Sequence, residues 1–299
     1  MNIVLFDEEE IMLPLAFSDE RAEHILNVLR KHKGDSFDAG VINGMAGTAL
    51  ITAIDREEKK IYSTFTARDN GKPLYPVRVI IGFPRPIQLK RVFRDMAGLG
   101  VSEIHLAGTE LGEKSYMRST IFVRGNGDKR SAAEKMLVDG SAQAKSTRVP
   151  KLFLHNNVKT CLEKIAASSD AFRAALDNAA PETSLIQALG GLAGIAKDVG
   201  KNTLPMVLSE TKLVSENDVN VIFASEGGMG ATECALGGRL SPSVIIAIGN
   251  ERGWTDNERE FFKCAGFLLC GMGKRVLRTE TASCAAVSLV LGAMGVLED

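Results

Sequence analysis

An α/β fold with a parallel sheet, preceded by a small β-rich domain, is what this chain of 299 residues predicts. Three observations carry that expectation. From Val77 onward, apolar β-prone runs alternate with amphipathic helical stretches, the pattern of a parallel sheet covered by helices. A run of turn formers, Arg68-Asp-Asn-Gly-Lys-Pro-Leu-Tyr-Pro76, separates this region from a segment of short strands and divides the chain into domains 1–72 and 73–299. Two glycine-bearing turns, Ile246-Ala-Ile-Gly-Asn-Glu-Arg-Gly-Trp254 and Leu269-Cys-Gly-Met-Gly-Lys-Arg-Val-Leu-Arg-Thr-Glu-Thr-Ala-Ser283, each follow an apolar run and precede a helical pattern. That is where such a sheet presents backbone to a ligand.

In order along the chain, Ser18 to Arg30 opens with a capping signal and carries Ile25, Leu26, Val28 and Leu29 at helical spacing. Strands over Lys33–Asp38, Gly47–Ile54 and Ile61–Ala67 follow, separated by Gly, Asn and Asp as in a small barrel. The second domain reads as strand Val77–Gly82, helix Leu89–Leu99, strand Glu103–Ala107 and helix Ser131–Ala144. Ile165 to Lys197, rich in Ala, Leu and Gly, has no clear polar face, and Met206–Thr211 reads as a strand edge followed by a turn. Ser225-Glu-Gly-Gly-Met-Gly230 imitates a phosphate-binding glycine run, but a lone glycine cluster reads better as a loop. The two glycine turns then precede a last helix that sets Ala282, Ala285, Ala286, Leu289 and Ala293 on one face.

Composition, 45% hydrophobic and 24% charged, suits ordinary globular cores. The longest apolar run, near Ala285 to Met294, is too short to span a bilayer, and Met1 to Glu10 lacks the basic start and cleavage site of a signal peptide. A cytoplasmic protein is expected. The five cysteines, Cys161, Cys234, Cys264, Cys270 and Cys284, form no Cys-x-x-Cys pair, and only His155 lies near one of them in sequence, so no metal site is expected. Cys270 sits within the second glycine turn, yet no histidine after His155 is present to activate it. The net charge of −1 conceals a basic middle: residues 72–150 hold 14 Lys+Arg against 7 Asp+Glu. Such an excess suits phosphate neutralisation, with a merely solvated surface as the alternative.

The stretch from Gly273 to Ala282 resembles the Leu-Gly-x-Arg-Ile-Leu-Arg-Thr-Glu-Thr-Ala element of the SPOUT-class RNA methyltransferases, most closely the bacterial enzymes that methylate N3 of a uridine in small-subunit (16S) ribosomal RNA. The first glycine turn is similar to that family's Ile-Gly-Pro-Glu-Gly-Gly-Phe-Ser, with Asn250 for proline, Arg252 for glycine and Trp254-Thr255 for Phe-Ser. His24 to Arg30 followed by Gly34-Asp35 resembles the family's N-terminal PUA-like domain. Gln143, Arg148, Val149 and Pro150 match its Glu-Gln-Ser-x-Arg-x-Arg-Val-Pro, whereas Lys90–Gly100 and Thr109–Ser119 echo it only loosely.

The resemblance implies a trefoil-knotted parallel-sheet domain with the knot and cofactor site at about 205–299, S-adenosylmethionine as cofactor, a small-subunit rRNA partner and a homodimer. It places the cofactor among Leu208, Ser209, Glu210, Ile248, Gly249, Asn250, Gly253, Cys270, Gly271, Met272, Gly273, Val276, Leu277, Thr281 and Ala282, and RNA contacts at Arg30, Gln143 and Arg148. N3 of uridine carries a proton at neutral pH, so a cation and a base are required near the methyl. Arg278 and Glu280, just before a helix expected to begin near Thr281, are the candidates; the plainer reading is an Arg–Glu pair that caps the helix. A nicotinamide enzyme is disfavoured because Gly-x-Gly-x-x-Gly is absent. A catalytically decayed RNA-binding or assembly protein on the same scaffold, or a methyltransferase for another nucleotide, remains as an alternative because of Asn250 and Arg252.

Overall fold

A computed structural model describes residues 2–165, 171–190, 220–221, 235–236, 239–240 and 243–298. Leu208, Ser209 and Glu210, the strand edge and glycine run expected nearby, Cys234 and residues 166–170 and 191–197 of the Ala/Leu/Gly-rich stretch lie outside the described residues.

The N-terminal domain is a five-stranded sheet in the order β1-β3-β4-β5-β2, built from β1 (Val4–Phe6), β2 (Leu15–Ala16), β3 (Ser36–Val41), β4 (Ala46–Asp55) and β5 (Lys60–Asp69). It is antiparallel except for β1 beside β3. Alternate residues of β4 point inward, so Ala49 and Ile51 join Phe6, Ile25, Phe37 and Ile61 in one core. The expected helix from Ser18 is shorter and differently capped. Asp19 accepts from Arg21 N at 2.8 Å and starts α1 (Glu20–Glu23), which widens into a π turn over His24–Val28. There Leu29 N bonds to His24 O, and Arg30 then takes φ 52°, which ends the helix. The strand expected at Lys33–Asp38 is shifted to Ser36–Val41 because Gly34, at φ 92°, still belongs to the turn.

The second domain carries an eight-stranded sheet, order β10-β15-β9-β14-β6-β7-β8-β11. Its strands are β6 (Tyr75–Gly82), β7 (Val101–Ala107), β8 (Lys151–His155), β9 (Phe172–Leu176), β10 (Thr183–Ser184), β11 (Asn220–Val221), β14 (Val244–Ile248) and β15 (Leu268–Gly271); Ala235–Leu236 (β12) and Arg239–Leu240 (β13) pair separately. All neighbours are parallel except β11 on β8. The helices are α2 (Pro86–Gly98), α3 (Ala132–Gln143), α4 (Val158–Ile165), α5 (described over 185–190), α6 (Asp256–Cys264) and α7 (Thr279–Ala293).

The two faces of the sheet make two cores. Val77, Val79 and Ile81 of β6, with Val244, Ile246 and Ile248 of β14, pack under α2, α3 and α7 through Leu89, Phe93, Met96, Leu137, Val287 and Val290. Ile80, Ile245 and Ala247 point the other way, to Cys161 and Leu162 of α4 and Phe262 of α6. Both faces being covered, β14 is buried throughout, as its unbroken apolar run requires. No helix among the described residues is long and apolar enough to cross a membrane.

The domains are joined by packing and by charge. Ile3, Leu5 and Ala46 meet Val138 and Ala142 of α3, and Ile3 N bonds to Ala142 O. Lys129 pairs with Glu9 and Glu10, Arg130 with Asp7, and Lys145 with Asp38. Part of the basic excess of the middle segment therefore answers the acidic first domain.

Candidate active site

Register places the C-terminal ends of β14, β9 and β15 side by side, with Ile248 opposite Leu176 and Leu176 opposite Cys270. The loops that follow these strands, 177–182, 249–255 and 271–278, form one rim. Trp254, 2% exposed, anchors the middle loop by donating from Nε1 to Leu176 O at 3.0 Å. Gly249 allows the loop to fold on itself, since a Cβ there would meet the Cα of Gly253 at 3.1 Å, and Gly253 turns at φ 72°. Cys270 lies buried in β15, where burial foremost pushes its thiol up to about 11, unsuited to a thiolate nucleophile.

The departures in the middle loop form a set of contacts with the loop after β7. Asn250, 7% exposed, donates to Thr109 Oγ1 at 2.7 Å and accepts from Arg252 N at 2.9 Å. Arg252 reaches Leu111 O at 3.2 Å. Thr255 Oγ1 and Asn257 Nδ2 both donate to the Glu110 carboxylate, at 2.6 and 2.5 Å, and these two bonds hold its pKa below the usual range. Thr255 also caps α6 in a capping box with Glu258, whose Oε1 accepts from Glu110 N at 2.9 Å.

The last loop ends in α7, which begins at Thr279 rather than near Thr281. Arg278 is its N-cap, and Glu280 lies in the first turn instead of before it. Thr279, buried, ties the helix start to the middle loop by donating to Gly249 O at 3.2 Å. Arg278 is exposed and, among the described residues, makes no cap bond and has no ion-pair partner. No Arg278–Glu280 pair forms there. Glu280 is half-buried, and its Oε2 is shielded from solvent with no hydrogen-bond partner among the described residues. Thr281 is exposed; Met272, Leu277 and Ala282 are half-buried; Gly273 turns at φ 91°; Val276 is 80% exposed on the same loop.

The chain matches the RNA methyltransferase domain family over residues 70–239 and 205–291. It belongs to this family. It is 36% identical over 298 residues to ribosomal RNA small subunit methyltransferase E of Treponema pallidum, covering 97% of this chain and 91% of that protein. It is 27% identical over 288 residues to ribosomal RNA small subunit methyltransferase E 1 of Borreliella burgdorferi, covering 96% and 95%. Its fold is shared by the S-adenosyl methionine-bound ribosomal RNA small subunit methyltransferase E of Neisseria gonorrhoeae at TM-score 0.61 and 18% identity, over 98% of this chain and 97% of that one.

In this RNA methyltransferase the expected RNA contacts fall into different settings. Arg30 and Gln143 are exposed. Arg148 is half-buried between the domains, with its guanidinium on Asn70 O at 2.7 Å and on Asn43 O, while Val149 N donates to Asn43 Oδ1. Arg148 thus has a clamping role that its motif did not disclose. A second feature not foreseen is a buried cluster in which Glu103 Oε2 meets His105 Nε2 at 3.1 Å, His105 Nδ1 meets His155 Nε2 at 3.0 Å, and Cys161 lies close by. Burial, then the neighbouring His105 and Lys164, pushes His155 down to about 3, so it stays neutral. One donor atom from each of His105, His155 and Cys161 lies within 4.8 Å of the others. Only the nearness of His155 to Cys161 in sequence hinted at it.

Proposed function

We propose that this protein transfers the methyl group of S-adenosylmethionine to N3 of a uridine in small-subunit ribosomal RNA. The observation that carries the reading is the convergence of the two glycine loops on the start of α7, with Arg278 and Glu280 presented there. The Treponema and Borreliella relatives, named for small-subunit rRNA methylation, support the substrate class. The rim suits the donor. Gly249, Gly271 and Gly273 leave main chain accessible beside Ile248, Cys270 and Met272, and Val276 stands uncovered where an adenine or ribose would lie. When bound, S-adenosylmethionine supplies an electrophilic methyl on a sulfonium.

The chain's own residues do the rest. Glu280, with a shielded carboxylate oxygen lacking a donor, accepts the N3 proton. Arg278, unpaired among the described residues, stabilises the uracil oxygens as negative charge develops. The electron pair freed at N3 forms the bond to carbon, and the C–S pair stays on sulfur. Leu208, Ser209 and Glu210 complete the cofactor side on the family resemblance, and Arg30 with Gln143 meets RNA.

The five-stranded sheet serves as the PUA-like domain. Insertion of β14 between β6 and β9, with α7 returning to Gly249, fits a trefoil knot. On α7 the buried face is Ser283, Ala286, Val287, Val290 and Leu291, while Ala282, Ala285, Leu289 and Ala293 are only partly covered; a second copy of the chain fits there.

Calorimetry with S-adenosylmethionine and mass mapping of rRNA nucleosides from a deletion strain test the reading. Heat on binding and loss of one 3-methyluridine are expected. No heat would favour the decayed scaffold, and loss of another methylated nucleoside would move the target.

A further inference from the structure

We infer that a cavity of about 380 Å³ beside the middle glycine loop is a subsite for an RNA nucleotide flanking the methylated one. The inference rests on the proposed RNA methylation. The cavity opens at the C-terminal ends of β6, β7 and β8, on the same rim as the cofactor loops and one to three strands along the sheet from β14. Its volume lies at the small end of ligand pockets and suits one nucleotide rather than a dinucleotide.

Its chemistry is divided. Phe83, Met117 and Phe261 supply an apolar wall against which a base can stack, while Lys114 and Lys159 are exposed on the lining. The acids of the same cavity are occupied. Glu258 holds the backbone N–H groups of Thr255 and Glu110, and Glu110 holds Thr255 and Asn257, whereas neither lysine has an ion-pair partner among the described residues. The carboxylates keep their charge but are turned to donors of the protein, with Glu113 on Arg252, so the two lysines are the groups of the lining that can meet a phosphate.

Through Glu110 the cavity wall is also hydrogen-bonded to the cofactor loop, so a nucleotide seated here bears on the loop that contains Asn250. The segments that line it, Phe83 with 108–117, 156–159 and 257–261, include the loop that only loosely follows the family pattern.

The test uses the full-length protein, small-subunit particles and the double variant Lys114→Ala/Lys159→Ala. RNA affinity is expected to fall at least about tenfold, with the salt slope of binding reduced by about 1 for each phosphate no longer neutralised and the S-adenosylmethionine Kd unchanged. Photocrosslinking of 4-thiouridine-substituted RNA to the wild type should label peptides within 108–117, 156–159 or 257–261. Unaltered affinity and slope in the folded variant, or crosslinks confined to other segments, would overturn the inference. Binding and crosslinking need no turnover, so they decide the subsite even if the wild type transfers no methyl group, an outcome that would sink the functional reading instead.

Discussion

Replacing Arg278 with alanine separates chemistry from folding more cleanly than any other change at this site. The side chain is exposed, makes no cap bond and has no ion-pair partner among the described residues, so its removal should change stability by no more than about 0.5 kcal/mol. The sign is expected to be favourable or neutral. A cation at the positive end of α7 costs a few tenths of a kcal/mol, and alanine removes that cost. Turnover should behave oppositely. If the guanidinium stabilises the uracil anion, its loss should slow methyl transfer by at least about a hundredfold, about 2.7 kcal/mol of transition-state stabilisation. Lysine should restore only part of this, since it keeps the charge without the planar fork. Single-turnover methylation of small-subunit RNA, with a melting curve for each variant, measures both quantities. Near-normal turnover in a well-folded Arg278→Ala protein would refute the assignment and leave α7 with an exposed arginine that only begins a helix.

Asn250→Ala removes two hydrogen bonds at a buried position and leaves Thr109 Oγ1 and Arg252 N without their partner; S-adenosylmethionine affinity should fall about tenfold by calorimetry, with a loss of about 2 kcal/mol in denaturant unfolding. Arg148→Ala strips the Asn43 and Asn70 carbonyls of a charged donor, so about 2 kcal/mol of stability should be lost at unchanged cofactor affinity, whereas Arg30→Ala should weaken RNA binding and lower its salt slope by about 1 without changing the melting curve. Burial alone would raise the Glu10 carboxyl, but hydrogen bonds from Lys129 and Arg21 outweigh it and bring it to about 2. Because that value is lower than in the unfolded chain, its contribution is present above about pH 4.5 and should fade as pH falls towards 2; Glu10→Gln should flatten that part of an acid-unfolding curve.

The sequence disclosed what local pattern encodes. The buried runs at Val77–Gly82 and Val244–Ile248 became β6 and β14, and the helix expected over Ser131–Ala144 became α3, opened by a capping box of Ser131 and Glu134. Both glycine turns fell at the ends of parallel strands. What escaped was set by distant partners. Thr109 and Asn250 meet across 141 residues of chain, and no periodicity in either segment announces the pairing. Arg148 sits in a motif that suggests RNA contact, but its geometry depends on carbonyls at Asn43 and Asn70 in the other domain. The basic middle suggests a phosphate footprint, yet Lys129, Arg130 and Lys145 face acids of the first domain, leaving Lys114 among its cations without an ion-pair partner among the described residues.

Those long-range pairs bear on the question that the altered glycine loop raises. In the family pattern a proline, which fixes φ, and a further glycine, which frees the backbone, stand in this loop. Here Asn250 and Arg252 replace them, and side-chain bonds take over: Asn250 to Thr109 and to the backbone of Arg252, Arg252 to Leu111, Thr255 to Glu110. A loop drifting without selection would gain polar residues facing solvent, whereas these bury an amide and satisfy both of its ends. Restraint by hydrogen bonds also differs from restraint by proline in one physical respect: it can be released and remade. The Glu110–Thr255 bond places the wall of the neighbouring cavity and the cofactor loop in one such network.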